Sequence, residues 1–382
     1  MWTPLARAKN VASEAMPMKM SHGDCIVTHT DLPPSQAPHI KTVHPVPRTN
    51  RTIDVTVLII VSDETKLDDY GMALNTFECY AATHGYGFRI DRDIDFSECG
   101  HHIDHFFRRH CVVHSILKEM PPSSWVLFLD ADTGVVNPNR LLEEYIDDRF
   151  DVTLYDRFFN WEVAAGSYLI RNTPRALAFV QSFADYEWKL PDSVHGTDNG
   201  ALHILLMDLL APLNKEKGEL CREIWRISGG YMDLFRMEAC TRLAYGAAVE
   251  YPAQGIRILP KGHGWMRDRF LLQSRFAEND EFLLHGFKGH FQLSYPETTA
   301  DMISFLLDQN GVWVDWIILN THYISPIVKE LDIDKCKAQT ETWHLERRLI
   351  ISDELKKKEI AEFRDMIERR KLKIMEAIRN YL

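Results

Sequence analysis

The stretch that decides the fold is Trp125-Val126-Leu127-Phe128-Leu129-Asp130-Ala131-Asp132. Five consecutive apolar residues predict a strand buried on both faces, the signature of a sheet covered by helices. Two carboxylates then arrive at its carboxyl end. Working back toward the N-terminus, Val55-Thr56-Val57-Leu58-Ile59-Ile60-Val61 is a second such run, ended by Ser62-Asp63. Between the two runs, Met72 to Thr83 has helical spacing of apolar residues and closes on His84-Gly85. Gly87 to Phe96 alternates as a strand, and Phe106 to Leu117 is helical in period. The order strand, helix, strand, helix, strand predicts an α/β domain with a mainly parallel central sheet and helices on both faces. Ligands of such sheets bind beyond the carboxyl ends of the strands, where Asp63 and the Asp130/Asp132 pair fall.

Toward the C-terminus, Tyr168-Leu169-Ile170 reads as a short strand. Pro174 to Trp188 reads as a helix with Thr173 at its N-cap, and Asn199 to Leu210 as another. The flanks differ in character. Residues 1–50 hold seven of the 17 prolines without periodicity and read as a poorly ordered tail. Residues 51–330 form the predicted catalytic domain, and 331–382 a charged helical extension. In that extension Ile360, Phe363, Ile367, Ile374 and Ile378 make a narrow apolar stripe. Packing along one seam of the chain explains the stripe; a homo-oligomer joined through this helix is the other reading.

Composition limits the function classes. Of 382 residues, 44 are Lys or Arg and 55 Asp or Glu, a formal charge of -11. That balance argues against nucleic acid as partner, since such binding rests on basic residues displacing counterions from phosphates. No run of residues is long and apolar enough to span a bilayer, and the N-terminus lacks the apolar stretch of a signal peptide. Seven cysteines, none in a C-x-x-C pair, fit either a reducing or an oxidising compartment.

Four D-x-D triplets occur, Asp91/Asp93, Asp93/Asp95, Asp130/Asp132 and Asp332/Asp334, and only Asp130/Asp132 follows a fully apolar strand. Two carboxylates at a rigid sheet edge suit Mn2+ or Mg2+ with positions open for phosphate. Satisfying the amides of a turn is the alternative role. The run Asp130-Ala131-Asp132-Thr133 also resembles the D-x-D-x-T of haloacid-dehalogenase-type phosphohydrolases, in which Asp130 would be the nucleophile; there the motif lies on the first core strand, whereas here two strands precede it.

Four segments resemble the Golgi-type α-galactosyl, mannosyl and xylosyl transferases. They are Cys79 to Phe88, Trp125 to Asp132, Gly166-Ser167-Tyr168-Leu169-Ile170-Arg171-Asn172, and His285-Gly286-Phe287-Lys288-Gly289. Leu190 to His203, which contains Gly196-Thr197-Asp198-Asn199, is similar to a nematode-expanded family of uncharacterised proteins related to those transferases. The resemblance implies a GT-A fold and transfer of a hexose or pentose from a nucleotide-diphosphate sugar, UDP-linked, with retention, to a glycan or glycoprotein acceptor in the Golgi or another secretory lumen. A sugar- or nucleotide-binding protein that kept the fold without activity is a further reading.

On this resemblance Asp130, Asp132 and His285 are the expected metal ligands, with His290 as rival to His285. Lys288 and Arg109, or Arg108 in its place, would meet the diphosphate. Ser62 and Asp63 would meet the nucleoside, or merely form a turn, and the Gly166 backbone would approach the donor. Asp198 and Asn199 would serve the reacting centre, with helix capping as the structural role of Asp198. Asn199 stands where the relatives carry Gln. Trp161, Glu162 and Trp265 are the expected acceptor platform, aromatic faces being suited to stacking on sugars; burial in the core is their alternative.

Overall fold

The structure is a computed structural model that describes residues 40–47, 53–158, 161–272, 275–287 and 325–381. In chain order it begins with β1 (Ile40–Val43), β2 (Val55–Val61), α1 (Gly71–His84), β3 (Gly87–Arg92), α2 (His105–Glu119), β4 (Trp125–Leu129) and β5 (Thr133–Val135). Next come β6 (Val152–Tyr155), β7 (Ser167–Arg171), α3 (Pro174–Ala184), α4 (Thr197–Leu210), α5 (Lys215–Arg226) and α6 (Tyr231–Tyr245). Short strands follow: β8 (Glu250–Tyr251), β9 (Ile256–Leu259), β10 (Met266–Asp268), β11 (Phe276–Ala277) and β12 (Leu283–His285). The chain closes with α7 (Ile333–Lys337), β13 (Trp343–Glu346), β14 (Ile350–Ile351) and α8 (Asp353–Tyr381).

Local chemistry explains the boundaries. Gly85, at φ 72, caps α1 with its N–H on the Ala81 carbonyl, a conformation that favours glycine. Thr173 accepts from the Ala176 amide at the start of α3, with Pro174 in the first turn. The strand expected over 87–96 stops at Arg92 and gives way to a 3-10 turn over Asp93–Asp95.

Seven strands make the central sheet, in the order β3-β2-β4-β7-β6-β9-β8. It is mixed rather than mainly parallel. The pairs β2/β3, β2/β4 and β6/β9 are parallel, whereas β4/β7, β6/β7 and β8/β9 are antiparallel. Helices α1 and α2 supply the crossovers that parallel pairing requires. Among the described residues between β4 and β7 there is no α-helix, and β7 runs antiparallel to β4. That reversal brings the start of β7 to the carboxyl end of β4, where Leu129 pairs with Ser167.

Period-two alternation sorts the strand residues onto two cores. Leu58, Ile60, Val126, Phe128 and Tyr168 join one core with residues of α2 to α6, and Val57, Ile59, Leu127, Leu129 and Leu169 join another with α1 and β12. Helices therefore cover both faces, as expected. Against the second core lies a small sheet, β10-β12-β5, with β10 parallel and β5 antiparallel to β12.

Segments of both flanks pack against the rest of the chain. Ile40–Val43, inside the segment read as a tail, pairs antiparallel with Trp343–Glu346. The segment after 331 is tied to the rest of the chain: Cys79 of α1 is disulfide-bonded to Cys336 of α7. Two further bonds are Cys99–Cys111 and Cys221–Cys240, while Cys25 lies outside the described residues. The stripe of α8 is spent within the chain, since Ile367, Ile374 and Ile378 enter the first core and Ile360 packs with Phe158 and Leu272. The stripe therefore packs along one seam of the chain, the first of the two readings, and the side chain of Phe363 lies outside the described residues. Among the described residues no helix is long and apolar enough to cross a membrane.

Candidate active site

Beyond the carboxyl end of β4 the chain turns through Asp130-Ala131-Asp132 into β5. Because β12 pairs with β5 in the register His285↔Thr133, the His285 side chain arrives beside both carboxylates. Amides of Gly286 and Phe287 donate to the Asp132 carbonyl at 2.9 and 2.6 Å, which fixes the two segments together. His285 Nε2 stands 3.2 Å from Asp132 Oδ1 and 3.7 Å from Asp130 Oδ2. One ligand atom from each of Asp130, Asp132 and His285 lies within 4.8 Å of the others.

The other nitrogen of that imidazole is fixed too. Its Nδ1–H donates to Asp268 Oδ1 at 2.8 Å, since Asp268↔His285 is a register pair of β10 and β12. Asp268 in turn pairs with Arg157 at 2.6 Å, and Arg157 with Glu162 at 2.8 Å. A carboxylate on the far nitrogen is how metal-binding histidines are oriented. Burial alone would lower the His285 pKa, but Asp132 and Asp268 outweigh it and raise it to about 10. For Asp268, burial acts to raise its pKa, and Arg157 with His285 holds it well below the usual carboxylate range instead. The proton on His285 thus offsets a ring of carboxylates, as a divalent cation bound there would.

Arg109 closes the opposite side. It is buried, pairs with Asp130, and meets Asp198 Oδ2 at 2.5 Å. Asp198 has no exposed surface and also receives the His110 Nε2–H at 3.2 Å. His110 Nδ1 lies 3.0 Å from the Tyr168 hydroxyl, which donates to it. Burial would raise the Asp198 pKa, yet Arg109 and His110 bring it down to about 2; burial lowers His110 to about 4, so its imidazole is neutral. Gly166 faces the site at the start of β7, its carbonyl accepting from the Asp130 amide at 2.9 Å. A Cβ built there would meet Asp130 Oδ2 at 2.1 Å, so any larger residue would force the Asp130 carboxylate to move.

Arg109, Asp130, Arg157, Gly166, Asn199 and His285 are among the residues that line one cleft. Several expected roles change. Asp198 is not the helix cap, since Gly196 holds that position, and its carboxylate is wholly buried against Arg109. Trp161 and Trp265 are core residues instead of an acceptor platform. Trp161 packs edge-on against Phe235 and donates to the Ile367 carbonyl, and Trp265 packs against Tyr155 and donates to Ser167. Glu162 is spent on Arg157.

Ser62 and Asp63 occupy a turn at the end of β2, on the same sheet edge, where Arg92 donates to both carbonyls. They are not among the residues that line the cleft. Arg108 donates to the His102 carbonyl, away from the carboxylate pair. Lys288 and His290 lie outside the described residues. Sequence reading missed Asp268, Arg157 and His110.

Residues 77–301 match the profile of a family described as "Protein of unknown function, DUF273". The chain belongs to the DUF273 family. This agrees with the resemblance to a family of uncharacterised proteins. The DUF273 chain is also 30% identical over 87 residues to a probable alpha-1,6-mannosyltransferase, MNN10, of Saccharomyces cerevisiae, a match over 23% of this chain and 22% of that protein. It therefore spans about a fifth of the length of that curated relative. A solved glycosyltransferase involved in glycosylation of the major capsid of PBCV-1 overlaps it with a TM-score of 0.29 at 20% identity, over 36% of this chain and 68% of that one. At that score the overlap carries no argument about fold.

Proposed function

We propose that this chain is a glycosyltransferase of GT-A type that moves a hexose or pentose from a nucleotide-diphosphate sugar, UDP-linked, to a glycan or glycoprotein acceptor with retention. The observation that carries the reading is the convergence of Asp130, Asp132 and His285 at the carboxyl edge of the sheet, with Asp268 behind the imidazole. Two carboxylates and one oriented imidazole fit Mn2+ better than an all-oxygen Mg2+ site. When bound, such an ion supplies Lewis-acid stabilisation of the charge that develops on a departing diphosphate.

The residues divide the remaining work. Asp198 and His110 hold the Arg109 guanidinium beside Asp130, so positive charge stands in the cleft without reorganisation. The Asn199 amide faces the same cleft and would hydrogen-bond donor hydroxyls. Gly166 leaves room for close approach of the donor, and Ser62 and Asp63 on the neighbouring strand end would meet the nucleoside. Lys288 would neutralise the diphosphate. Three disulfides among the described residues suit an oxidising secretory lumen, the Golgi in this reading.

A thermal-shift screen of nucleotide sugars with and without Mn2+ tests the reading, because stabilisation grows with ligand concentration over its dissociation constant. A UDP-sugar that raises the melting temperature only with the metal present is the expected result; no shift with any nucleotide sugar rejects it. Magnesium-dependent phosphate release from an aryl phosphate, with a trapped Asp130 adduct, would establish a phosphohydrolase instead.

A further inference from the structure

A second cluster of ligating side chains lies at the loop just before the N-terminus of α2, and none of its residues is among those that line the cleft. His101, His102 and Asp185 each bring one ligand atom within 4.8 Å of the others. His102 has no exposed surface. Its Nδ1–H donates to Glu187 Oε2 at 2.8 Å, so a carboxylate stands behind the ring as it does behind metal-binding histidines. That buried Nε2 has no hydrogen-bond partner. A buried polar atom left without a partner is costly.

What Nε2 faces is informative. Asp185 Oδ1 lies 3.8 Å away, too far for a hydrogen bond, and a cation held between the two atoms would satisfy both. Ligands about 2.1 Å from a tetrahedral zinc stand about 3.4 Å apart, so a small tightening closes the present gap. The flanking groups are already fixed. Gln181 Nε2 donates to both oxygens of Asp185 at 3.0 Å, and the His101 Nδ1–H donates to the Glu98 carbonyl at 2.9 Å, leaving Nε2 of His101 to ligate. Glu187 Oε1 accepts from the amides of Ile103 and Asp104, and the Cys99–Cys111 bond ties the loop to α2.

We propose that His101, His102 and Asp185 form a second cation site, built for a zinc-class divalent metal with Glu187 orienting His102. Two imidazoles and one carboxylate select borderline-soft ions over Mg2+ and leave one position for water. The site clamps the loop that leads into α2, the helix that carries Arg109 and His110 to the cleft. It requires no assumption about the reaction catalysed there.

Equilibrium dialysis of the full chain against Zn2+, with Mg2+ in excess, tests the site. The unmodified chain is expected to hold one more equivalent of zinc than His101→Ala, a change at an exposed side chain that should leave folding intact. Asp185→Asn, which keeps the shape of the side chain, should weaken that same equivalent at least about tenfold, since even second-shell losses cost about 10- to 100-fold. Equal stoichiometry and affinity in all three chains would overturn the proposal. So would Mg2+ displacing the additional zinc.

Discussion

Gly166→Ala isolates the geometry of the candidate active site with one methyl group. The added Cβ falls 2.1 Å from Asp130 Oδ2 and 2.7 Å from its Cγ, whereas ordinary contact begins near 3.4 Å. The carboxylate must therefore retreat by about 1.3 Å, the difference between 3.4 and 2.1 Å. The backbone offers little relief, because the Asp130 amide is bonded to the Gly166 carbonyl and β4 and β7 are buried against both cores. Ligand distances in a metal site tolerate only about 0.2 Å, and a misplacement near 1 Å costs about 100-fold in rate. Overpacking of this size destabilises by about 1–3 kcal/mol, less than most domains can lose before unfolding. The expected variant is folded, melts a few degrees lower, and binds Mn2+ about 100-fold more weakly, as read from the electron-paramagnetic-resonance signal of free Mn2+. Binding within about twofold of the unmodified chain, with the fold intact, would show that Asp130 is not a ligand.

Metal binding should also depend on pH in a defined direction. His285, held near 10, must lose its proton to ligate, so each unit of pH rise between about 6 and 9 should tighten Mn2+ binding about tenfold and each binding event should release about one proton. Calorimetry in buffers of different ionisation enthalpy measures this, and zero proton release would reject His285 as a ligand. Asp268→Asn leaves the three ligands in place but removes the charge behind the imidazole, and should lower metal affinity about 10- to 100-fold; an unchanged affinity would limit Asp268 to a packing role. Trp265→Ala should cost about 3–5 kcal/mol in thermal or denaturant unfolding, as for a large buried aromatic. If the variant instead keeps its stability and loses acceptor saturation, Trp265 contacts the acceptor after all.

What the sequence made legible follows from how far each signal reaches. Trp125–Leu129 and Val55–Val61 are runs of apolar residues long enough to read as covered strands, and the carboxylates after the first fall at a sheet edge for that reason. His285 follows Phe282-Leu283-Leu284, but its ligand role was visible only through the resemblance of His285-Gly286-Phe287-Lys288-Gly289 to the late segment of the transferases. Asp268 was not: Met266-Arg267-Asp268 has no strand pattern, and its meaning arises only when β10 pairs with β12. Strand direction is equally silent in periodicity, so the reversal of β7 that brings Gly166 to Asp130 could not be read. For Trp161 and Trp265, side-chain chemistry alone gives no sign of whether an indole faces solvent. Asp198 looked like a cap because Thr-Asp-Asn suits one, but Gly196 and Thr197 take left-handed φ of 71 and 50, and Asp198 enters the helix pointing into the core. Ile40–Val43 was hidden among prolines, and its partner lies some 300 residues away in sequence.

The bond between Cys79 and Cys336 closes a loop of 257 residues, and every residue that forms the cleft lies inside it. A single protease cut in a surface loop anywhere in that interval would not release a fragment, because the two pieces would stay covalently joined. Such a nicked molecule would migrate as one species without reductant and as two with it. The cleft's components would remain at high mutual concentration for as long as the bond survived.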